Sequence, residues 1–247
     1  MRPARDASAG PLVVGDHRTV ELVNLAGPPA DALLGRIAAN IGSAVDAVEA
    51  FWGTDWAHRI VVVATGTDRQ FAAQAGGGDV GRWAGIAAVA VADRVDLRRR
   101  FATGQRVVFA PGAAEMSTRA LRIVLGHELF HFATRADTAF DAPRWLAEGV
   151  ADFVARRMPA GADRPAPPLT LPSDADLDAP GPQRTQAYDR AWWFAGFIAD
   201  RYGTAKLREL YLAACGPGHT DPATAVRRVL GVDMSGVLTD WQQWSTG

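Results

Sequence analysis

The segment GHELFH, residues 126–131, decides how the rest of this 247-residue chain is interpreted. It carries an HExxH pattern within the predicted helix Ser117–Thr134, whose apolar residues recur at helical spacing. Residues four apart on a helix share one face, about one turn apart, so His127 and His131 can direct two imidazoles at one ion. Glu128 is displaced by about 100° around the same helix and can lie beside that ion without binding it.

Two imidazole nitrogens and a carboxylate that can take a proton from water are the groups that a zinc hydrolase uses. We therefore predict that His127 and His131 bind zinc and that Glu128 is the general base. The HExxH pattern also arises by chance on ordinary amphipathic helices, so it does not decide the function alone.

A second segment, WLAEGVAD at residues 145–152, supplies the carboxylate that such a site lacks. It lies in the predicted helix Pro143–Arg157, which the short loop at residues 136–142 would return alongside the first helix. Glu148 is then the predicted third ligand, which gives a His₂Glu site for one zinc ion per chain with one open position. Asp152 follows one turn later on the same face, where it can accept the spare N–H of a ligand histidine. The alternative for both acids is a solvated position on the helix surface.

The two segments together resemble the gluzincin zinc metallopeptidases of the peptidase MA-like group, which share the WLxEGxA pattern with M1-type aminopeptidases. The resemblance extends over about residues 59–212 and includes YDRAWWFAGFIADRY at residues 188–202, where the group has a tyrosine-bearing helix. It implies a zincin-like fold, in which a small sheet packs on the HExxH helix and its edge strand, here Gln105–Ala110, pairs with extended substrate. It also implies that Tyr188 stabilises the oxyanion. Apart from the resemblance, His219 in the segment GPGH at residues 216–219 is a weaker second candidate, and its alternative is an exposed loop histidine.

The activity that the resemblance implies is zinc-dependent hydrolysis of peptide bonds in a peptide or protein substrate. No GAMEN-type exopeptidase motif precedes the HExxH helix, where Ala110–Met116 shares only Glu115 with that motif. Endopeptidase activity is therefore as compatible with the sequence as aminopeptidase activity. Two other interpretations stay open, namely a zinc hydrolase of a non-peptide substrate and a non-catalytic binding protein that keeps the fold. Tyr188 is equally explained as a buried helix tyrosine.

The order of predicted elements indicates an α+β fold, with a small mixed sheet followed by a helical C-terminal half. We predict a flexible tail at residues 1–10 and a single zincin-like domain at residues 11–247. Its sheet-containing part covers about residues 11–116 and its helical part residues 117–247, with an irregular connection at Met158–Gln183. The predicted strands are His17–Leu25, Arg59–Ala64, Gly85–Ala92 and Gln105–Ala110. The further predicted helices are Asp31–Phe51, Thr67–Ala75, Thr185–Tyr202, Thr204–Cys215, Asp221–Leu230 and Ser235–Trp244.

Composition limits the function classes that remain. Hydrophobic residues make up 48% and charged residues 21% of the chain, which excludes a wholly disordered protein. Its 26 basic and 27 acidic residues give a net charge of −1, so we expect no nucleic-acid partner. Cys215 is the only cysteine, which excludes an internal disulfide and a cysteine-rich metal site. We expect no membrane span and no signal peptide in this sequence. The compartment stays open: cytoplasmic by default, extracytoplasmic if Met1 is not the natural start.

Overall fold

The computed structural model describes residues 12–156 and 169–246 of the chain. The predicted tail at residues 1–10 and residues 158–168 of the predicted irregular connection lie outside the described residues. The described chain has the predicted α+β organisation, because strands and helices are mixed in its first half and helices alone follow.

The elements are numbered in chain order. The strands are β1 (Leu12–Val14), β2 (Arg18–Asn24), β3 (Arg59–Ala64), β4 (Ala88–Val91), β5 (Arg94–Asp96), β6 (Phe101–Thr103) and β7 (Arg106–Phe109). The helices are α1 (Asp31–Trp52), α2 (Asp68–Gln74), α3 (Thr118–Thr134), α4 (Arg144–Ala155), α5 (Asp174–Asp178), α6 (Pro182–Tyr202), α7 (Thr204–Cys215), α8 (Pro222–Leu230) and α9 (Met234–Thr246).

Five of the strands form a mixed sheet in the order β1-β2-β3-β7-β4. The three central strands, β2, β3 and β7, are parallel, and the outer strands β1 and β4 are antiparallel to their neighbours. Strand β3 is the apolar run RIVVVA, in which the successive residues Val62 and Val63 are both buried. Such a run is typical of a parallel strand that is covered on two faces. Strands β5 and β6 form a separate two-stranded hairpin.

The edge of the sheet differs from the prediction. Gln105–Ala110 is not the edge strand, because β7 lies between β3 and β4, and its Val108 and Phe109 are fully buried there. Strand β4 precedes β7 in the chain but pairs outside it, with Val89 opposite Val108. The predicted strand Gly85–Ala92 therefore supplies the edge, and β4 packs against helix α3.

One large hydrophobic core joins the sheet to the helices. Helix α1 buries Ile37, Ile41 and Val45 in the same cluster as Val62 of β3, and this cluster continues into α3, α4, α6 and α7. Full burial of each of these aliphatic side chains contributes about 1.5–3 kcal/mol. A smaller cluster around Phe71 of α2 covers the other face of the sheet. The HExxH helix α3 is thus held between the sheet and the later helices.

Strand β1, the hairpin of β5 and β6, and helix α5 are missing from the sequence-based expectations. The hairpin of β5 and β6 lies in an arginine-rich segment, residues 94–103, that lacks the apolar alternation of a strand. Helix α5 lies within the predicted irregular connection and begins with a capping box formed by Ser173 and Asp176. Helix α6 also begins earlier than predicted, at Pro182, since proline is favoured in a first helical turn. Among the helices in the described part of the chain, none combines the length and apolar character needed to cross a membrane.

Candidate metal centre

Three side chains from α3 and α4 converge on one point. His127 Nε2 lies 3.1 Å from His131 Nε2 and 3.1 Å from Glu148 Oε2. His131 Nε2 lies 3.5 Å from the same Glu148 oxygen. The ligand atoms of these three residues all lie within 4.8 Å of one another, so together they can hold a metal ion. The structure therefore brings together the three residues that the sequence predicts as metal ligands.

The local sequence explains why the two helices meet so closely. Ser117 caps α3 by accepting the backbone N–H of Ala120, which fixes where the helix begins. Gly126, directly before the first histidine, lies where a Cβ atom would be only 3.1 Å from Ala155 Cα of α4. A Cβ atom at Gly126 would require Ala155 to shift by a few tenths of an ångström, so glycine here lets α3 and α4 approach closely.

A second glycine sets the position of the tyrosine-bearing helix. A Cβ atom on Gly149 of α4 would lie 2.4 Å from the carbonyl oxygen of Ala191 on α6, a separation that a real side chain does not tolerate. Helices α4 and α6 therefore pack backbone to backbone at this point. This close packing brings the Tyr188 end of α6 beside the histidines.

The surroundings of His127 favour a positive charge in the cluster. Its Nδ1 lies 2.9 Å from Asp152 Oδ1, so His127 donates Nδ1–H to this carboxylate. The Nε2 of a neutral His127 then presents a lone pair to the cluster, whereas that of a protonated His127 donates to Glu148. Burial alone would lower the pKa of His127, but hydrogen bonds with Asp152 and Glu148 outweigh burial and raise this pKa well above its usual value. Burial likewise opposes ionisation of Glu148, yet the charge of His131 and the bond from His127 hold the pKa of Glu148 far below its usual range. A proton or a metal ion is needed between these groups.

Glu128 lies beside the cluster and outside it. Its Oε2 accepts the backbone N–H of Ala90, on the edge strand β4, at 2.7 Å. Burial raises the pKa of Glu128 above its usual value, and the charges of His127 and His131 only partly offset that rise. A partly buried carboxylate with a raised pKa, held in place by a backbone donor, is suited to take up and release a proton.

A cleft of about 440 Å³ opens beside Glu128. Its lining comes from the segment that leads into β4, from α3, from the end of α4 and from the first turns of α6, and includes His127 and Tyr188. The Tyr188 ring centroid lies 6.4 Å from that of His127. Burial, followed by the nearby charge of Glu148, raises the pKa of Tyr188, so its phenol stays protonated as a hydrogen-bond donor. No described residue accepts a hydrogen bond from this hydroxyl, which leaves it free for a ligand in the cleft.

His219, the weaker oxyanion candidate, is not part of this cleft. It lies in the loop after α7, where its Nε2 faces Asp141 Oδ1 at 3.2 Å and its Nδ1 faces the carbonyl oxygen of Thr220 at 3.1 Å. The structure therefore separates His219 from the predicted ligands, in contrast to Tyr188.

Sequence reasoning missed one residue that orients the site. Arg156, at the end of α4, donates from Nη2 to Asp152 Oδ2 and to Asp189 Oδ1, each at 2.9 Å. Its guanidinium also lies 4.0 Å above the Trp192 ring. Asp152 is thus held between His127 on one oxygen and Arg156 on the other. The four-residue spacing of Asp152 and Arg156 on a helix is the signal that could have identified this pair.

Comparison of the chain with protein-family models, with curated proteins and with solved structures finds no match. The resemblance to gluzincins therefore rests on the residues of the HELFH and WLAEGVAD segments, and the functional argument rests on the geometry of this site.

Proposed function

We propose that the protein is a zinc-dependent peptidase with a zincin-like fold, in which His127, His131 and Glu148 bind zinc and Glu128 is the general base. The observation that carries this proposal is the convergence of the three ligand atoms, with the separate, partly buried carboxylate of Glu128 beside them and a cleft in front of it. A structural histidine pair would need only one hydrogen-bond partner, whereas this cluster places three electronegative atoms against each other.

The donor set fits zinc in kind and in spacing. Zinc takes imidazole nitrogen and carboxylate oxygen at about 2.0–2.2 Å in a tetrahedral arrangement, which puts neighbouring ligand atoms about 3.4 Å apart. The separations between His127, His131 and Glu148 are 3.1, 3.1 and 3.5 Å. Three protein ligands leave one position open, as in catalytic rather than structural zinc sites. A zinc ion held there supplies Lewis-acid chemistry, since it polarises a carbonyl group and makes water more acidic.

The roles of the protein's own groups follow from their positions. Glu128 takes a proton from the attacking water and passes it to the leaving amine, a task that its raised pKa supports. Tyr188 donates its phenolic hydrogen toward the carbonyl oxygen as negative charge develops there. Asp152 and Arg156 hold the His127 ring in one orientation, which preserves the tautomer that the metal requires.

The edge strand β4 offers a way to hold an extended peptide. Ala110 of the chain after β7 donates to the carbonyl oxygen of Ala87, so by alternation Ala88 and Ala90 point their backbone groups away from β7. The backbone N–H of Ala90 points away from β7 and donates to Glu128. A peptide that enters the cleft and pairs with the backbone of Ala88 would therefore pass directly beside the general base.

The Glu128→Gln variant tests the catalytic role. Glutamine keeps the size of the side chain but cannot accept a proton, so we expect hydrolysis of a broad fluorogenic peptide library to fall by about 10²–10⁴-fold. Zinc content, measured by mass spectrometry of the intact protein, should stay at about one ion per chain because Glu128 is not a ligand. The matched control is Glu115→Gln, an exposed glutamate outside the cleft, which should keep full activity.

Two results would contradict the proposal. If Glu128→Gln hydrolyses the library as fast as the unchanged protein, Glu128 is not the base. If the unchanged, zinc-loaded protein cleaves no peptide in the library, the chain is better described as a binding protein or as a hydrolase of another substrate class.

A further inference from the structure

The charged side chains that line the cleft are almost all paired with other parts of the protein. The described lining contains Glu128, Asp152, Arg156, Arg184 and Asp189. Asp152 and Asp189 share the guanidinium of Arg156, and Glu128 accepts the backbone N–H of Ala90. Their charges and hydrogen bonds are therefore engaged before any ligand enters, and Arg184 is the exception.

Arg184 lies in the first turn of α6 and is partly buried. Its Nε donates to the carbonyl oxygen of Ala179 at 3.0 Å, which anchors the side chain. Its two terminal nitrogens have no acceptor among the described residues. Asp178, whose pKa the charge of Arg184 helps to lower, has both oxygens bound by Arg144 at 2.9 and 3.0 Å, so it interacts with Arg184 only through charge.

An anchored guanidinium with two open nitrogens is a carboxylate-binding group, because its planar N–H donors match the two oxygens of a carboxylate. We propose that Arg184 binds a carboxylate of the substrate, and so directs the proposed peptidase toward peptides that present a free C-terminus or an acidic side chain near the scissile bond. This inference rests on the proposed function for the meaning of "substrate", but the binding site itself does not depend on catalysis.

The position of Arg184 sets how far that carboxylate lies from the bond to be cleaved. Arg184 and Tyr188 are four residues apart on one helix, so they share a face and are separated by about 6 Å along the axis. Tyr188 in turn lies next to His127. An extended peptide advances about 3.3 Å per residue, so the carboxylate belongs within about four residues of the scissile bond.

Peptide binding to a non-cleaving protein tests this assignment directly. The background is the zinc-loaded Glu128→Gln full-length chain, and the probes are fluorescent octapeptides of one apolar sequence, read by anisotropy. One probe has a free C-terminal carboxylate, one a C-terminal amide, one an amide with an internal glutamate, and one an amide with an internal lysine. These four probes separate the two sources of a carboxylate from each other and from a cationic ligand at Asp189.

We expect at least one carboxylate probe to bind roughly tenfold more tightly than the plain amide, as one charge-assisted interaction predicts. Arg184→Gln should remove that difference, and Arg184→Glu should reverse it so that the lysine probe binds best. A merely structural role of Arg184 would not produce this reversal. The matched control is Arg201→Gln, which removes an exposed arginine about 25 Å further along the same helix and should change nothing.

The proposal is overturned if the four probes bind equally, if none binds, or if the lysine probe binds best to the protein with Arg184 intact. It is also overturned if Arg184→Gln leaves the preference unchanged. Failure of the peptidase proposal would show differently, as an absence of hydrolysis by the protein that retains Glu128.

Discussion

Two histidine–aspartate pairs in this molecule have similar contacts and different surroundings. His127 Nδ1 lies 2.9 Å from Asp152 Oδ1, and His219 Nε2 lies 3.2 Å from Asp141 Oδ1. In the first pair the side chains are 13% and 10% exposed, whereas Asp141 in the second is 87% exposed. The free nitrogen of His127 faces a histidine and a glutamate, but that of His219 faces the backbone carbonyl oxygen of Thr220. The pair alone is therefore not a site, and the atoms opposite the second nitrogen decide what it can do.

The difference originates in the elements that carry the pairs. Helices α3 and α4 hold His127 and Asp152 rigidly, because glycine at residues 126 and 149 lets both helices pack closely with their neighbours. Asp141 and His219 lie in loops, where one hydrogen bond joins two connecting segments. A metal ligand must hold its nitrogen at a fixed distance from the ion, and a histidine whose orientation is fixed by an aspartate can do so.

Zinc content after replacement of a histidine should show the largest difference between the surroundings of the two pairs. We expect His131→Ala to lose its zinc, since only two protein ligands remain, and to drop from about one ion per chain to nearly none after dialysis. His219→Ala should keep about one ion. Mass spectrometry of protein purified without chelators measures both, and thermal unfolding with and without added zinc shows whether each variant is folded.

A His131→Ala protein that keeps a full complement of zinc would show that the ion is bound elsewhere. Loss of zinc from His219→Ala would show that the two pairs are not independent. Either result would remove the distinction between the pairs.

Replacement of the aspartate in each pair should show a smaller difference in zinc binding, again with the effect at His127. Asp152→Asn still accepts the Nδ1–H of His127 but carries no charge, so it supports a less basic imidazole. We expect zinc affinity to fall by about 10–100-fold, measured by competition with a chromogenic chelator. Asp141→Asn is the matched control and should bind zinc as the unchanged protein does. Equal affinity in both variants would reduce Asp152 to an ordinary helix acid.

The candidate ligand set could be predicted because most of its geometry is local. Two histidines four residues apart share a helix face whatever surrounds them, so His127 and His131 need no tertiary information. Glu148 requires two helices to pack, and the short loop between them made that a safe inference. Arg156 could not be found in full, since its second partner, Asp189, lies on α6, beyond a long connection with no pattern of its own.

The order of the strands, unlike the candidate ligand set, depends on contacts between segments that are distant in the sequence. The sequence predicts the segment Gln105–Ala110 at the edge, because it directly precedes the HExxH helix. Strand order depends on pairing between distant segments, and nothing in the Ala88–Val91 sequence shows that it joins β7 from outside. The sequence pattern identifies both segments as strands, but only the tertiary structure places β4 beside Glu128.

The smallest expected effect is the contribution of the His219–Asp141 pair to the stability of the fold. The sign of its pH dependence follows from the two pKa shifts. The carbonyl oxygen of Thr220, together with Asp141, raises the pKa of His219 above its usual 6.5, so this stabilisation is present below that value and is lost as pH rises through the higher folded-state pKa. The bond from His219 lowers the pKa of Asp141 below its usual 3.8, so its part is lost only in stronger acid. With zinc removed by chelator, Asp141→Asn should therefore unfold at a lower temperature than the unchanged protein at about pH 5.5, and at the same temperature near pH 9. The difference should be small and should shrink with added salt, because solvent screens an exposed pair. A difference that grew toward pH 9 would mean that the pair is not held together by protonated His219, and that the contrast with the buried pair is one of position alone.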